Sequence, residues 1–289
     1  MKLLVSHESP IQLFEESLNY NDYQYCLVHL MEQNEQYRDW FMTVNTRFGQ
    51  DVLLDNSIFE LGTSFDPKKY AHWLREINPN YYIVPDVLED AQGTMHQWRD
   101  WSVNHQPKEN TSLRIGVVQG KTWQELIDCY RFMAEEADYI AISFDYSYYK
   151  YTGTGRSKLE LWCSGRQRFI QDLIDKGYWE WSKPHHLLGC SLAKEFKYYV
   201  DNNITNIRSC DTSNPIVAAL KGLKYNGDQG LREKPSTLLC DLISADVDED
   251  ISDLITYNTA MFKSILGRQP EPRLWNADQD QLYSSCQPA

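Results

Sequence analysis

The sequence has little glycine, 14 residues in 289, and its seven cysteines include no close pair. Those cysteines, Cys26, Cys129, Cys163, Cys190, Cys210, Cys240 and Cys286, read as reduced thiols of a cytoplasmic protein rather than as a disulfide framework. No Cys-x-x-Cys and no His-Glu-x-x-His occurs, so no zinc or other metal site is expected. There is no Gly-x-Gly-x-x-Gly fingerprint and no phosphate-binding loop, so no nucleotide cofactor is expected either. No run approaches the roughly 18 to 20 apolar residues of a membrane span. The apolar stretch in MKLLVSHESP is too short for a signal peptide.

The formal net charge of −13 weighs against a polyanionic partner, because phosphate binding draws on Lys and Arg. The charge is uneven, however. Residues 146–234 carry 14 basic and 9 acidic side chains, against 14 and 32 in the rest of the chain. A basic region on an acidic body is one way to make a binding face; ordinary surface variation is the bland alternative.

What the chain does have is a hydrophobic content of 42%, with 19 Tyr and 9 Trp, enough for a sizeable core. Short β-like runs recur at Lys2–Ser6, Tyr25–Leu30, Asp51–Asp55, Tyr81–Pro85, Leu113–Gln119, Tyr139–Phe144, His186–Cys190 and Ile207–Asp211. Helical periodicity fills the intervals: Ile11–Leu18, Met31–Thr43, Pro67–Ile77, Leu88–Val103, Trp123–Glu136, Arg166–Lys176, Leu192–Asn202 and Pro215–Leu223. Asp66 is a plausible N-cap before Pro67. This alternation predicts a (β/α)8 barrel in one domain over residues 1–267, with a last helix near 251–266. Residues 268–289 read as a polar tail.

Polar residues close five of the predicted strands: Asp55, Asp86, Gln119, Asp145 and Asp211, with Gly189 at the end of a sixth. One such residue is commonly just a helix cap. Asp211 has that competitor, because Thr212, Ser213 and Pro215 open a helix. Several polar ends at one barrel mouth make an apparatus for chemistry. One carboxylate can attack an anomeric carbon while another protonates the leaving group. Ser143–Leu161 is the longest break in the alternation. It mixes Tyr146, Tyr148, Tyr149 and Tyr151 with Lys150, Arg156 and Lys158, and Gly153 and Gly155 loosen it. Such a loop suits a nucleic-acid or sugar contact, or is a Tyr-rich surface loop or a dimer contact. His185 and His186 lie side by side on a strand and so face opposite ways; they read as structural residues or phosphate contacts. Cys210 reads as packing.

The strand ends resemble a known family. LLDNSIFELG is similar to the acid/base motif of the tRNA-guanine transglycosylases, usually Asp-Ser-Gly-Gly-Phe-Gln. IGVVQG resembles their Val-Gln-Gly motif, HLLGC the segment lying against the bound base, and IRSCDTSNP the segment with the nucleophilic aspartate. The order along the chain agrees, over roughly residues 50–225. Ser57 and Ile58 stand where the family has two glycines, Glu60 where it has Gln, and AISFDY where it has Gly-Leu-Ala-Val-Gly-Glu. The family's Cys-x-Cys-x-x-Cys zinc subdomain is missing. In that respect the chain is more similar to the compact bacteriophage DNA-guanine transglycosylases, which insert 7-deazaguanines into DNA.

The resemblance implies a role for each matching residue. Asp211 is the nucleophile on C1′, and Asp55 is the acid for guanine departure and then the base for the incoming 7-deazaguanine. Asp86 faces the donor edge of the base and Gln119 donates to O6. Phe59 and Leu188 sandwich the ring beside Gly189, and the backbone at Ser143 and Phe144 adds a contact. A guanine-like base offers two donors and an acceptor, which this set complements. Tyr148, Tyr149, Lys150, Arg156 and Lys158 are the expected nucleic-acid contacts. The expectation is a base-exchange enzyme acting on guanine-containing DNA with a free preQ0-type base, without cofactor, in a cytoplasm (a host's, for a phage protein). The alternatives are a tRNA-directed transglycosylase and a non-catalytic nucleic-acid-binding barrel. Oligomeric state is left open.

Overall fold

The computed structural model describes residues 3–144, 147–189, 192–226 and 238–268. Asp145, Tyr146, Cys190, Cys286 and the expected tail from residue 269 onward lie outside the described residues. Eight strands run parallel: β1 (Leu4–Ser6), β2 (Gln24–Leu27), β3 (Val52–Asp55), β4 (Tyr81–Ile83), β5 (Leu113–Val118), β6 (Tyr139–Ile142), β7 (His185–Leu187) and β8 (Ile207–Asp211). The hydrogen-bonded order is β1-β8-β7-β6-β5-β4-β3-β2. Helices follow the strands on the outside, so the chain folds as the expected (β/α)8 barrel. Strands buried on both faces must be apolar throughout, as Leu53-Leu54 and Ile140-Ala141-Ile142 are.

The barrel is nearly closed, and side chains bridge its seam. The Asp22 amide donates to Val5 O at 2.9 Å, and Asp22 Oδ2 accepts from Val5 N at 2.8 Å. Asn21 repeats the pattern one step up: Oδ1 accepts from His7 N at 2.6 Å and Nδ2 donates to His7 O at 3.0 Å. The outward edge of β1 thereby has partners although no ladder joins it to β2.

Two helices have the expected bounds, Pro67–Ile77 and Trp123–Glu136, because both carry caps. Asp66 accepts from the amides of Lys68 and Lys69, and Thr122 and Glu125 form a capping box. Elsewhere the structure corrects the reading. β2 stops at Leu27, not Leu30, because its neighbour β3 ends opposite it at Asp55; a helix, Val28–Gln33, follows at once. The expected helix from Arg166 starts two turns earlier, at Lys158, where the Ser157 side chain accepts from Glu160 N.

The stretch taken as a flexible loop is largely helical, as Ser147–Thr152 and the start of Lys158–Asp175. Its glycines serve close approach. A Cβ on Gly153 would overlap the Leu161 carbonyl, and one on Gly165 the Tyr149 backbone. Among the described residues no helix is long and apolar enough to cross a membrane.

Candidate active site

Parallel strands deliver their last residues to one end of a barrel, so Asp55 on β3 and Asp211 on β8 share a mouth. Asp211 is 6% exposed. Its Oδ1 accepts from His186 Nε2 at 3.1 Å and from the Gly189 amide at 3.0 Å. Both donors are on Oδ1; among the described residues none hydrogen-bonds to Oδ2. Gly189 has φ +59°, a left-handed turn that aims its N–H back at Asp211.

Behind Asp211 the barrel interior is polar. His186 Nδ1 lies 2.8 Å from Ser209 Oγ, which lies 2.5 Å from Tyr139 OH. Tyr25, across the barrel on β2, stacks on His186 with ring centroids 6.4 Å apart and planes at 15°. The Tyr25 hydroxyl donates to Asp55 Oδ2 at 2.7 Å. Each candidate carboxylate is thus held by a ring, and the two rings stack on one another.

Asp55 also accepts from the Ser57 amide at 2.5 Å. Burial pushes its carboxyl up to about 7, against the hydrogen bonds from Tyr25 and Ser57, and the charges of Asp211 and Asp86 add to the rise. A carboxyl near 7 can both give and take a proton. Ser57 has φ +58°, a left-handed conformation uncommon for a residue with a Cβ, at a position where the resembling family has glycine. Three residues on, burial lifts Glu60 to about 9, with the charges of Asp55, Glu8 and Asp211 contributing. Its Oε2 is sealed from solvent with no hydrogen-bond partner among the described residues.

Asp86 and Gln119 meet each other first. Gln119 Nε2 donates to Asp86 Oδ2 at 2.5 Å, and Asn56 Nδ2 donates to Asp86 Oδ1 at 2.7 Å. Gln119 Oε1 accepts from the Glu89 amide at 2.8 Å. Burial pushes the Asp86 carboxyl up, against the bonds from Asn56 and Gln119. Both residues are buried, at 2% and 1% exposure. Contact with a base requires this pair to turn toward the mouth.

Phe59 stands at the rim, 56% exposed, on the short helix Ile58–Leu61. Leu188 and Ser143 are half-buried. The Phe144 ring packs edge-on against Trp162 and under the Arg166 guanidinium, 5.0 Å away. Lys150, Arg156 and Lys158 are exposed, with Lys158 Nζ 4.1 Å from the Trp162 ring centre. Tyr148 is half-buried against Trp123 and Phe169. Tyr149 is fully buried beside Phe169. Expected as a nucleic-acid contact, Tyr149 is a core residue, because its helix packs face-on against Gly165.

Sequence reasoning missed four residues: His186, Tyr25, Glu60 and Arg166. The two histidines do face opposite ways. His185 stacks on Trp179 at 3.8 Å, and burial pushes it down to about 3, whereas His186 reaches Asp211. Arg166 is a fully buried brace. Nε donates to Glu195 Oε1 at 2.6 Å and Nη2 to Glu195 Oε2 at 2.9 Å; Nη1 holds the carbonyls of Ile142 and Leu188, and Nη2 that of Gly189. It ties the ends of β6 and β7 beside Asp211. The sequence signal for Glu60 was its place in the motif; Arg166 gave none.

No family model matches the chain, and no curated protein matches it. The family resemblance therefore rests on the short sequence motifs.

Proposed function

We propose that this barrel exchanges guanine in DNA for a 7-deazaguanine through a covalent glycosyl–Asp211 intermediate. The observation that carries the reading is the division of labour between two carboxyls at one mouth. Asp211 has its donors on Oδ1, with none on Oδ2 among the described residues, and Asp55 sits near 7.

In the first step Asp211 Oδ2 bonds to C1′. The C1′–N9 bond breaks, its electron pair leaves with guanine, and Asp55 supplies the proton that the departing base takes up. In the second step Asp55 removes the N9 proton of the incoming 7-deazaguanine. That nitrogen bonds to C1′ and displaces the Asp211 carboxylate. No net bond energy is needed, since one N-glycosidic bond replaces another. A duplex substrate has to present the guanosine out of the stack, and Phe59 at the rim offers a ring face to it. Asp86 and Gln119, once turned from one another toward the mouth, read the base edge as the resemblance implies. The resemblance to the compact bacteriophage enzymes favours DNA over tRNA.

The test is incorporation of labelled 7-cyano-7-deazaguanine. Label is expected in guanine-containing DNA, with none in DNA treated with Asp211→Asn protein. Label in tRNA alone would move the substrate to tRNA. Label in neither would leave a nucleic-acid-binding barrel. An active Asp211→Asn variant would remove the proposed nucleophile.

A further inference from the structure

Resting on that reading of Asp211, we infer that Tyr139, Ser209 and His186 form a directional hydrogen-bond relay that selects Oδ2 of Asp211 as the attacking atom. His186 is a positioning residue in this scheme.

Counting donors decides the direction. An ionised carboxylate only accepts, so the His186 nitrogen 3.1 Å from Oδ1 carries a hydrogen. The other nitrogen, Nδ1, lies 2.8 Å from Ser209 Oγ. The Tyr139 hydroxyl has one hydrogen and, among the described residues, one hydrogen-bond partner, Ser209 Oγ, so the serine's own hydrogen is left for Nδ1, which accepts it. Ser209 Oγ then accepts from Tyr139 OH, 2.5 Å away. Burial holds that phenol well above its usual range, so it keeps its proton. Every hydrogen in the chain points toward Asp211. The Tyr25 ring on one face of His186 and the Tyr139 ring edge-on to it, at 87°, keep the imidazole from turning.

The relay acts on both steps. In the free protein it pins the carboxylate through Oδ1. Once Oδ2 has bonded to C1′, Oδ1 becomes the ester carbonyl oxygen, and the same two donors polarise it. Breaking the O–C1′ bond returns the electron pair to a carboxylate that His186 and Gly189 already solvate.

Two measurements test this. The first needs no substrate: the imidazole 15N resonances of His186, assigned by their loss in His186→Gln. The Nε2–H tautomer is expected at neutral pH. An Nδ1–H tautomer, or an imidazolium persisting above neutral pH, would overturn the relay. The groups facing the ring are Asp211, Tyr25, Tyr139 and Ser209, with Asp55 behind Tyr25. The second is adduct formation with guanine-containing DNA, followed as denaturant-stable product. His186→Leu removes a donor to a charged acceptor and is expected to slow adduct formation by roughly 10- to 100-fold. His186→Gln, which can place an amide N–H near the same point, should recover much of that. Ser209→Ala, a small change that preserves the ring, should slow it several-fold and alter its pH profile. Leucine and glutamine variants that behave alike, or a Ser209→Ala protein identical to wild type, would overturn the proposal. Failure of the wild-type protein to form any adduct would instead remove the reading of Asp211, whatever the tautomer.

Discussion

Asp55→Asn should make the protein more stable, and the gain should depend on pH. The folded protein holds this carboxyl at about 7, against 3.8 for the unconstrained group. For an acid raised on folding, the native state binds more protons than the unfolded chain between those values. Stability therefore falls as pH rises from about 4 to about 7. At roughly 1.4 kcal/mol for each tenfold change in proton affinity, the loss is at most roughly 4 kcal/mol. Relaxation and water penetration around the ionised group reduce it, leaving at least ~1 kcal/mol. Asparagine keeps the geometry: its Oδ1 can accept from the Ser57 amide, and its Nδ2 can donate to the Tyr25 hydroxyl. The assay is urea or thermal unfolding of both proteins from pH 4 to pH 8. The variant should match wild type near pH 4 and gain up to about 10 °C by pH 8. Loss of the Asp55 charge also eases Glu60, which adds to the gain in the same direction. An Asp55→Asn protein no more stable than wild type at pH 8, or one with an advantage that does not shrink on acidification, would refute the reasoning. The same variant should lose base exchange, so stability and activity would move in opposite directions, as expected of a strained functional group.

Glu60→Gln should behave similarly in a higher window, its advantage over wild type growing from about pH 4.5 to about 9; unfolding curves across that range check it. Arg166→Met leaves the buried Glu195 carboxylate without its ion-pair partner, beside the Tyr199 hydroxyl and the Cys163 thiol, and frees three strand-end carbonyls. It should cost roughly 3 to 5 kcal/mol in urea unfolding at neutral pH. Joint replacement of Lys150, Arg156 and Lys158 by Ala should weaken duplex DNA binding and lower the slope of log affinity against log salt by up to about 3. Fluorescence anisotropy over a salt series checks it, and an unchanged slope would separate these residues from the substrate.

The barrel was legible because each strand is a short apolar run and each interval has helical period; the two carboxylates were legible because they end such runs. What could not be read was register. Between β7 and β8 the pairing shifts by one residue, from His185 opposite Ile207 to His186 opposite Ser209. That irregularity sets His186 next to Ser209 and Asp211, and nothing in HHLLGC announces it. Tyr149 failed for another reason. A Tyr-rich loop and a Tyr-rich buried helix have the same composition. Only the glycines at 153 and 165 mark close packing, and their partners lie turns away in sequence. Glu60 was visible as a departure from a motif, but its burial among Asp55, Glu8 and Asp211 depends on the short helix that carries it.

Charge is the last point at which sequence and structure differ. A count of −13 takes every carboxyl as ionised. At the mouth that assumption fails, since Glu60 is lifted to about 9, Asp55 to about 7, and Asp86 is raised as well. Near neutral pH Glu60 is therefore largely protonated and Asp55 about half so. The basic side chains exposed after β6 then meet a less negative rim than the sequence suggests. Crowding carboxyls under burial thus does two things at once. In the proposed reaction it gives Asp55 a proton to deliver, and it lessens the negative charge at the mouth.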